Sequence, residues 1–98
     1  MKNQIKHVLN QLKNYNPEKI ILFGSYAYGK PNPDSDIDIA IIKKTNKPFH
    51  DRLKEARMLL RTTTPVDIFV FTPDELNEKK NTNPLIREIA TRGKVLNG

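Results

Sequence analysis

The chain reads as an α/β protein: a mixed sheet of three or more strands flanked by helices. Three observations predict this. Residues 19–23 (KIILF), 37–42 (IDIAII) and 66–71 (VDIFVF) are short apolar runs rich in β-branched and aromatic residues, the length and chemistry of buried strands. Segments with helical periodicity alternate with these runs, the signature of a layered α/β fold. The link between the second and third runs carries a helical pattern, so those strands should be parallel with a right-handed crossover. The link between the first and second runs, about thirteen residues, also allows an antiparallel pair, hence a mixed sheet.

Each element follows from its residues. Ile5, Val8, Leu9 and Leu12 recur at helical spacing, so residues 2–14 are expected as an amphipathic helix, ended by Asn16-Pro17. After the first strand, Gly24-Ser25 turns the chain, and residues 25–28 are expected to open a brief helix that Pro31 and Pro33 stop. Residues 43–48 (KKTNKP) form a polar loop after the second strand. Phe49, Leu53, Ala56, Leu59 and Leu60 mark a second long helix, which Thr64-Pro65 ends. After the third strand, Thr72-Pro73-Asp74-Glu75 is a helix start, with Pro at the first position and acids in the first turn. Residues 84–92 form a last helix carried by Leu85, Ile86 and Ile89, with Gly93 expected as its cap.

Composition narrows the class. The 98 residues suffice for one compact domain, residues 1–98, with no obvious second. Cysteine is absent, which excludes disulfides and thiolate metal sites. The N-terminal stretch has no continuous apolar run, and no window approaches the roughly 18 apolar residues of a membrane span, so a cytoplasmic protein is expected. The net charge of +6 favours phosphate-bearing or acidic partners, although the cations are scattered and also serve plain solubility.

The segment 24–38, GSYAYGKPNPDSDID, carries the chemistry. GSYAYGK matches most of a phosphate-binding P-loop, but Pro31 stands where Ser or Thr should hold magnesium and open a helix. Asp34, Asp36 and Asp38 begin like an EF-hand loop, but Ile39 replaces the Gly of its sharp turn and Thr45 its closing Glu. A third possibility survives. Side chains two apart on a strand point to the same side, so Asp36 and Asp38 can converge. Two anions held together repel unless a cation lies between them, and Mg²⁺ is commonly held by one or two carboxylates plus substrate phosphates. Asp67 interrupts the apolar third strand and would face the pair if strands two and three are neighbours. Three acids in that arrangement suit two metal ions, one on a triphosphate and one activating an attacking hydroxyl. Singly, the pair also reads as a solvated turn and Asp67 as an edge-strand charge. Together, behind a Gly-Ser turn whose amides can point at an anion, they favour the metal reading. A nucleophilic serine is disfavoured: G-x-S-x-G is absent, and His7 and His50 fall in helical patterns as surface residues.

Gly24-Ser25, Gly29, the run Ser35-Asp36-Ile37-Asp38-Ile39 and an isolated acid on a later strand together resemble the DNA polymerase β-like nucleotidyltransferase superfamily. The small size is similar to its minimal nucleotidyltransferase (MNT) members. The family pattern is roughly G-S-x-A-R-G, a short loop, then S-D-x-D-[LIV]. The resemblance implies that Asp36, Asp38 and Asp67 form a catalytic Mg²⁺ site, two ions being expected. It also implies that Gly24 and Ser25 bind the phosphates of ATP. The implied reaction moves AMP onto an acceptor hydroxyl and releases pyrophosphate. Such proteins are commonly antitoxins paired with a helical HEPN-domain toxin, and the acceptor can be a tyrosine of that toxin. The family's Arg after Ala is Tyr28 here, and Lys30 is expected to supply part of the missing charge.

Other readings stay open: an antitoxin that neutralises a HEPN partner by contact alone, a small-molecule transferase completed by a dimer, or direct nucleic-acid binding. Arg52, Lys54, Arg57 and Arg61 on the second long helix are expected to be solvated, with a partner surface there as the alternative.

Overall fold

A computed structural model of the chain describes residues 3–29 and 35–96. Helix α1 (Asn3–Leu12) buries Ile5, Val8, Leu9 and Leu12, the stripe its spacing sets, and a 3-10 turn (Lys13–Tyr15) extends it. Asn16 then adopts a left-handed conformation (φ 62°), and its N–H donates to the Lys13 carbonyl at 3.0 Å. Asn tolerates that region, and Pro17 prevents the helix from resuming.

The strands are β1 (Lys19–Phe23), β2 (Ile37–Ile42) and β3 (Val66–Phe71), with the bounds read from the sequence. Helix α2 (Phe49–Met58) connects β2 to β3. Helices α3 (Pro73–Lys79) and α4 (Pro84–Arg92) follow, and a short strand β4 (Lys94–Val95) closes the described chain. The sheet order is β3-β2-β1-β4. β2 runs parallel to β3 and antiparallel to β1, so the sheet is mixed as expected. β4 pairs antiparallel with β1, at Ile21 and Leu22. It carries no periodic signal because it is two residues long and exposed.

The sheet is covered on both faces, which explains why β1 and β2 are apolar almost throughout. One face carries Ile20, Leu22, Ile37, Ile39, Ile41, Ile68 and Val70, packed with the buried stripe of α1 and with Ala56 of α2. The other carries Ile21, Phe23, Ala40, Ile42 and Phe71, packed with Ile86 and Ile89 of α4. Val8, Leu12, Ile20, Ile39 and Ile41 are among the fully buried side chains, each contributing about 1.5–3 kcal/mol by leaving water. Among the described residues no helix is long and apolar enough to cross a membrane.

The later helices have built-in starts. Thr72 Oγ1 accepts from the Glu75 N–H at 3.1 Å, and Glu75 Oε1 accepts from the Thr72 N–H at 2.8 Å, a reciprocal capping box with Pro73 at the first helical position. Asn83 Oδ1 accepts from the N–H groups of Leu85 and Ile86 at 3.0 and 3.1 Å to start α4.

Two expectations are corrected and a third, for Gly93, is refined. Residues 25–28 form no helix: they belong to one hydrogen-bonded turn over Gly24–Gly29, bounded by glycines at φ 72° and 80°. Gly93 caps α4 as expected, its N–H donating to the Ile89 carbonyl at 3.2 Å, but its backbone is extended (φ −67°, ψ 151°) and not left-handed. A Cβ there would overlap Ile21 Cγ2 and the Ile89 carbonyl, so glycine is required by the close approach of α4 to β1. Arg52 is not solvated. It is 7 % exposed, and donates to Glu75 Oε1 at 2.7 Å and to the Lys47 carbonyl at 2.8 Å. The pair joins α2 to the capping box of α3. Burial opposes ionised Glu75, but hydrogen bonds from Arg52 and the Thr72 N–H outweigh it and hold its pKa below the usual range.

Candidate active site

The site lies where β1 ends and β2 and β3 begin. β1 stops at Phe23, and the Gly24–Gly29 turn follows directly. The Ala27 N–H donates to the Gly24 carbonyl at 3.0 Å, and the Tyr28 N–H reaches the Gly24 and Ser25 carbonyls, each at 3.2 Å. β2 enters beside this turn, and Asp38 sits opposite Phe23 in the antiparallel register. On its other side Asp38 sits opposite Asp67 of β3. Asp38 is therefore central: the turn flanks it on one side and a second carboxylate on the other. Asp36 lies two residues earlier, on the same side of the chain. The alternation places these acids on the sheet face that α4 covers, the face carrying Ala40, Ile42 and Phe71.

Gly24 is required twice over. Its φ of 72° favours glycine, and a Cβ there would overlap Asp38 Oδ2. The turn thus approaches the carboxylate more closely than any residue with a side chain would allow.

The electrostatics follow from this crowding. Burial, then the charges of Asp67, Asp36 and Glu88, push the Asp38 pKa up to about 6, and a hydrogen bond with Asp67 adds to the effect. Repulsion of this kind is relieved by a cation. Among the described residues no three acids or imidazoles form a ready-made metal cage. The donors nevertheless fit a hard divalent ion: all are carboxylate oxygens, and Mg²⁺ characteristically completes its shell with water and substrate phosphates. Asp36, Asp38 and Asp67 are the residues that could hold it.

Of the residues expected at the site, Asp36, Asp38, Asp67, Gly24 and Ser25 come together at this end of the sheet. Lys30 lies outside the described residues. His7 and His50 are exposed and distant in role: His7 Nε2 bonds the Arg61 carbonyl at 2.8 Å, and His50 Nε2 lies 3.0 Å from Asp51. Two residues on α4 escaped the sequence reading. Glu88 acts on both Asp38 and Tyr28, and the Arg92 guanidinium lies 4.0 Å from the centre of the Tyr28 ring. Neither carries a motif, because their position depends on how α4 docks. A cleft of about 550 Å³ between Asn3, Gln4 and His7 of α1 and Arg61–Thr64 is a separate feature, since no site carboxylate lines it.

The family model described as "Polymerase beta, Nucleotidyltransferase" matches residues 3–97. The chain belongs to the polymerase β nucleotidyltransferase family. A relative from Methanocaldococcus jannaschii, named "Putative protein adenylyltransferase MJ0604", is 34 % identical to this nucleotidyltransferase over 95 residues, covering 94 % of this chain and 93 % of its own. A solved chain described as "a putative nucleotidyltransferase from Sulfolobus solfataricus" has the same fold, with a TM-score of 0.58 at 22 % identity, over 97 % of this chain and 86 % of that one. A chain of a structure described as "the toxin-antitoxin with AMP-PNP" matches at a TM-score of 0.64 and 25 % identity, over 99 % of this chain and 74 % of that one.

Proposed function

We propose that this nucleotidyltransferase moves AMP from ATP to a hydroxyl of a partner protein, and that the acceptor is a tyrosine of a cognate helical HEPN toxin, so that the chain acts as its antitoxin. One observation carries the reading: Asp36 just ahead of β2, Asp38 on β2 and Asp67 on β3 gather at one end of the sheet, with Asp38 pressed against the Gly24 turn. The relative named as a protein adenylyltransferase and the toxin–antitoxin neighbour containing AMP-PNP support it.

In the reaction the acceptor oxygen attacks the α-phosphorus of ATP. A new P–O bond forms, the bond to the β-phosphate bridging oxygen breaks, and pyrophosphate leaves. Asp36 and Asp38 would hold Mg²⁺, with Asp67 completing the set. The ion's contribution is to offset phosphate charge and to favour ionisation of the acceptor hydroxyl. Asp67, at the outer side of the cluster, orients that hydroxyl and accepts its proton. Gly24 leaves room for the Asp38 carboxylate against the turn, and Ser25 and the turn amides supply donors to phosphate oxygens. The charge of +6 suits an anionic substrate.

A second reading, neutralisation by binding alone, draws on Tyr28, which cannot fork onto phosphate as an Arg would. Intact-mass spectrometry separates the two. The co-expressed HEPN partner is incubated with this protein, ATP and Mg²⁺, beside an Asp36→Ala/Asp38→Ala variant. One or more added AMP masses, absent with the variant, is the expected result. No added mass, with both versions forming equally stable complexes, would leave binding alone.

A further inference from the structure

The Arg92 guanidinium lies over a ring that belongs to the Gly24–Gly29 turn. Its Cζ is 4.0 Å from the Tyr28 ring centre, a close cation–π arrangement. Tyr28 is part of the Gly24–Gly29 turn, and its N–H is tied to the Gly24 and Ser25 carbonyls. Arg92 ends α4, on the sheet face that carries Asp38, and Glu88 one turn earlier is close enough to act on Asp38. The position of that turn of helix is fixed. Gly93 allows α4 to meet β1, and β4 then pairs with β1 at once.

Arg92 is exposed and forms no ion pair among the described residues, although Glu88 precedes it by four positions on the same helix. A guanidinium stacked on a ring keeps its N–H donors around its rim, free for another acceptor. The acceptors that suit such a fork are carboxylate and phosphate. Among the described residues no carboxylate takes it, and an incoming phosphate has the geometry the fork suits.

We propose that Arg92 is a substrate-positioning residue of this nucleotidyltransferase, held by the Tyr28 ring so that its guanidinium binds the β- and γ-phosphates of the bound triphosphate. The assignment rests on the transferase reading above. It also gives Tyr28 a role: the turn contributes a seat for a guanidinium supplied by α4. The Tyr28 ring packs against the core, which fixes the face it offers Arg92.

Calorimetric titration of the intact protein with Mg²⁺–AMP-PNP and, separately, with AMP tests this, since AMP lacks the β- and γ-phosphates. Arg92→Ala is expected to weaken AMP-PNP binding by about 10- to 100-fold, the range for a charge-assisted contact, and to change AMP binding little. Arg92→Lys should recover part of the loss, and Tyr28→Leu should weaken AMP-PNP binding in the same direction as Arg92→Ala. Thermal midpoints of the Arg92 variants should match wild type. Wild-type binding of AMP-PNP with an unchanged Arg92→Ala variant would overturn the assignment and leave the transferase reading standing. Equal loss of AMP and AMP-PNP would also overturn it, by making Arg92 a structural clip. Failure of wild type to bind either nucleotide would overturn both.

Discussion

Gly24 and Asp38 approach so closely that a Cβ on Gly24 would overlap Asp38 Oδ2. The end of β1 and the start of β2 are thereby fitted to each other at the candidate site. Gly24→Ala should cost roughly 1–3 kcal/mol in urea unfolding, from the positive φ and from displacement of the carboxylate. Gly29→Ala is the control. Its φ is 80° but nothing lies within 4 Å of the added Cβ, so it should cost only the backbone share, roughly 1 kcal/mol. AMP transfer should fall far more in the Gly24 variant.

The raised Asp38 pKa predicts a pH dependence of metal-free stability. Below about pH 4 this acid is protonated in both folded and unfolded chains. Between its ordinary value of 3.8 and about 6, the unfolded chain releases the proton while the folded chain retains it, so stability falls as pH rises. Above about pH 6 the penalty is constant. Asp38→Asn lacks this contribution. Its stability relative to wild type, followed by thermal unfolding without metal, should climb across that window and then level off. A constant difference from pH 4 to 8 would contradict the placement of Asp38 among the other acids.

Arg52 and Glu75 form the buried ion pair that joins α2 to the start of α3. Arg52→Ala would strip Glu75 of its cation and open a void beside β3. The expected cost in chemical denaturation is roughly 2–4 kcal/mol, below the largest values for buried pairs because Glu75 keeps some solvent access. Nucleotide affinity should be nearly unchanged, because the pair does not touch the carboxylate cluster.

Much of this was legible from particular residues. Ile39, Ala40, Ile41 and Ile42 are buried on both faces of a central strand, and such strands announce themselves as apolar runs. Asp67 stood out because it breaks one, and the helix between β2 and β3 implied the parallel pairing that sets it beside Asp38. The rest depends on contacts between distant elements. Arg52 looked like one surface cation among several, since its partner Glu75 lies far along the chain and already served a helix start. Glu88 and Arg92 share the polar side of an amphipathic helix, and only the docking of α4 beside the Gly24–Gly29 turn distinguishes them from solvated charges. Gly93 read as a helix cap and is one, but the steric reason for glycine there comes from Ile21 on β1.

The central claim is that three carboxylates, Asp36 just ahead of β2, Asp38 on β2 and Asp67 on β3, perform AMP transfer. Its most direct test is label transfer from ATP radiolabelled at the α-phosphate to the HEPN partner with Mg²⁺, comparing wild type with Asp36→Asn, Asp38→Asn and Asp67→Asn. The prediction is transfer by wild type and its near-complete loss in each variant, a hundredfold or more, on the order of removing a principal catalytic group. Transfer undiminished in Asp38→Asn and Asp67→Asn, or no transfer by wild type, would contradict it.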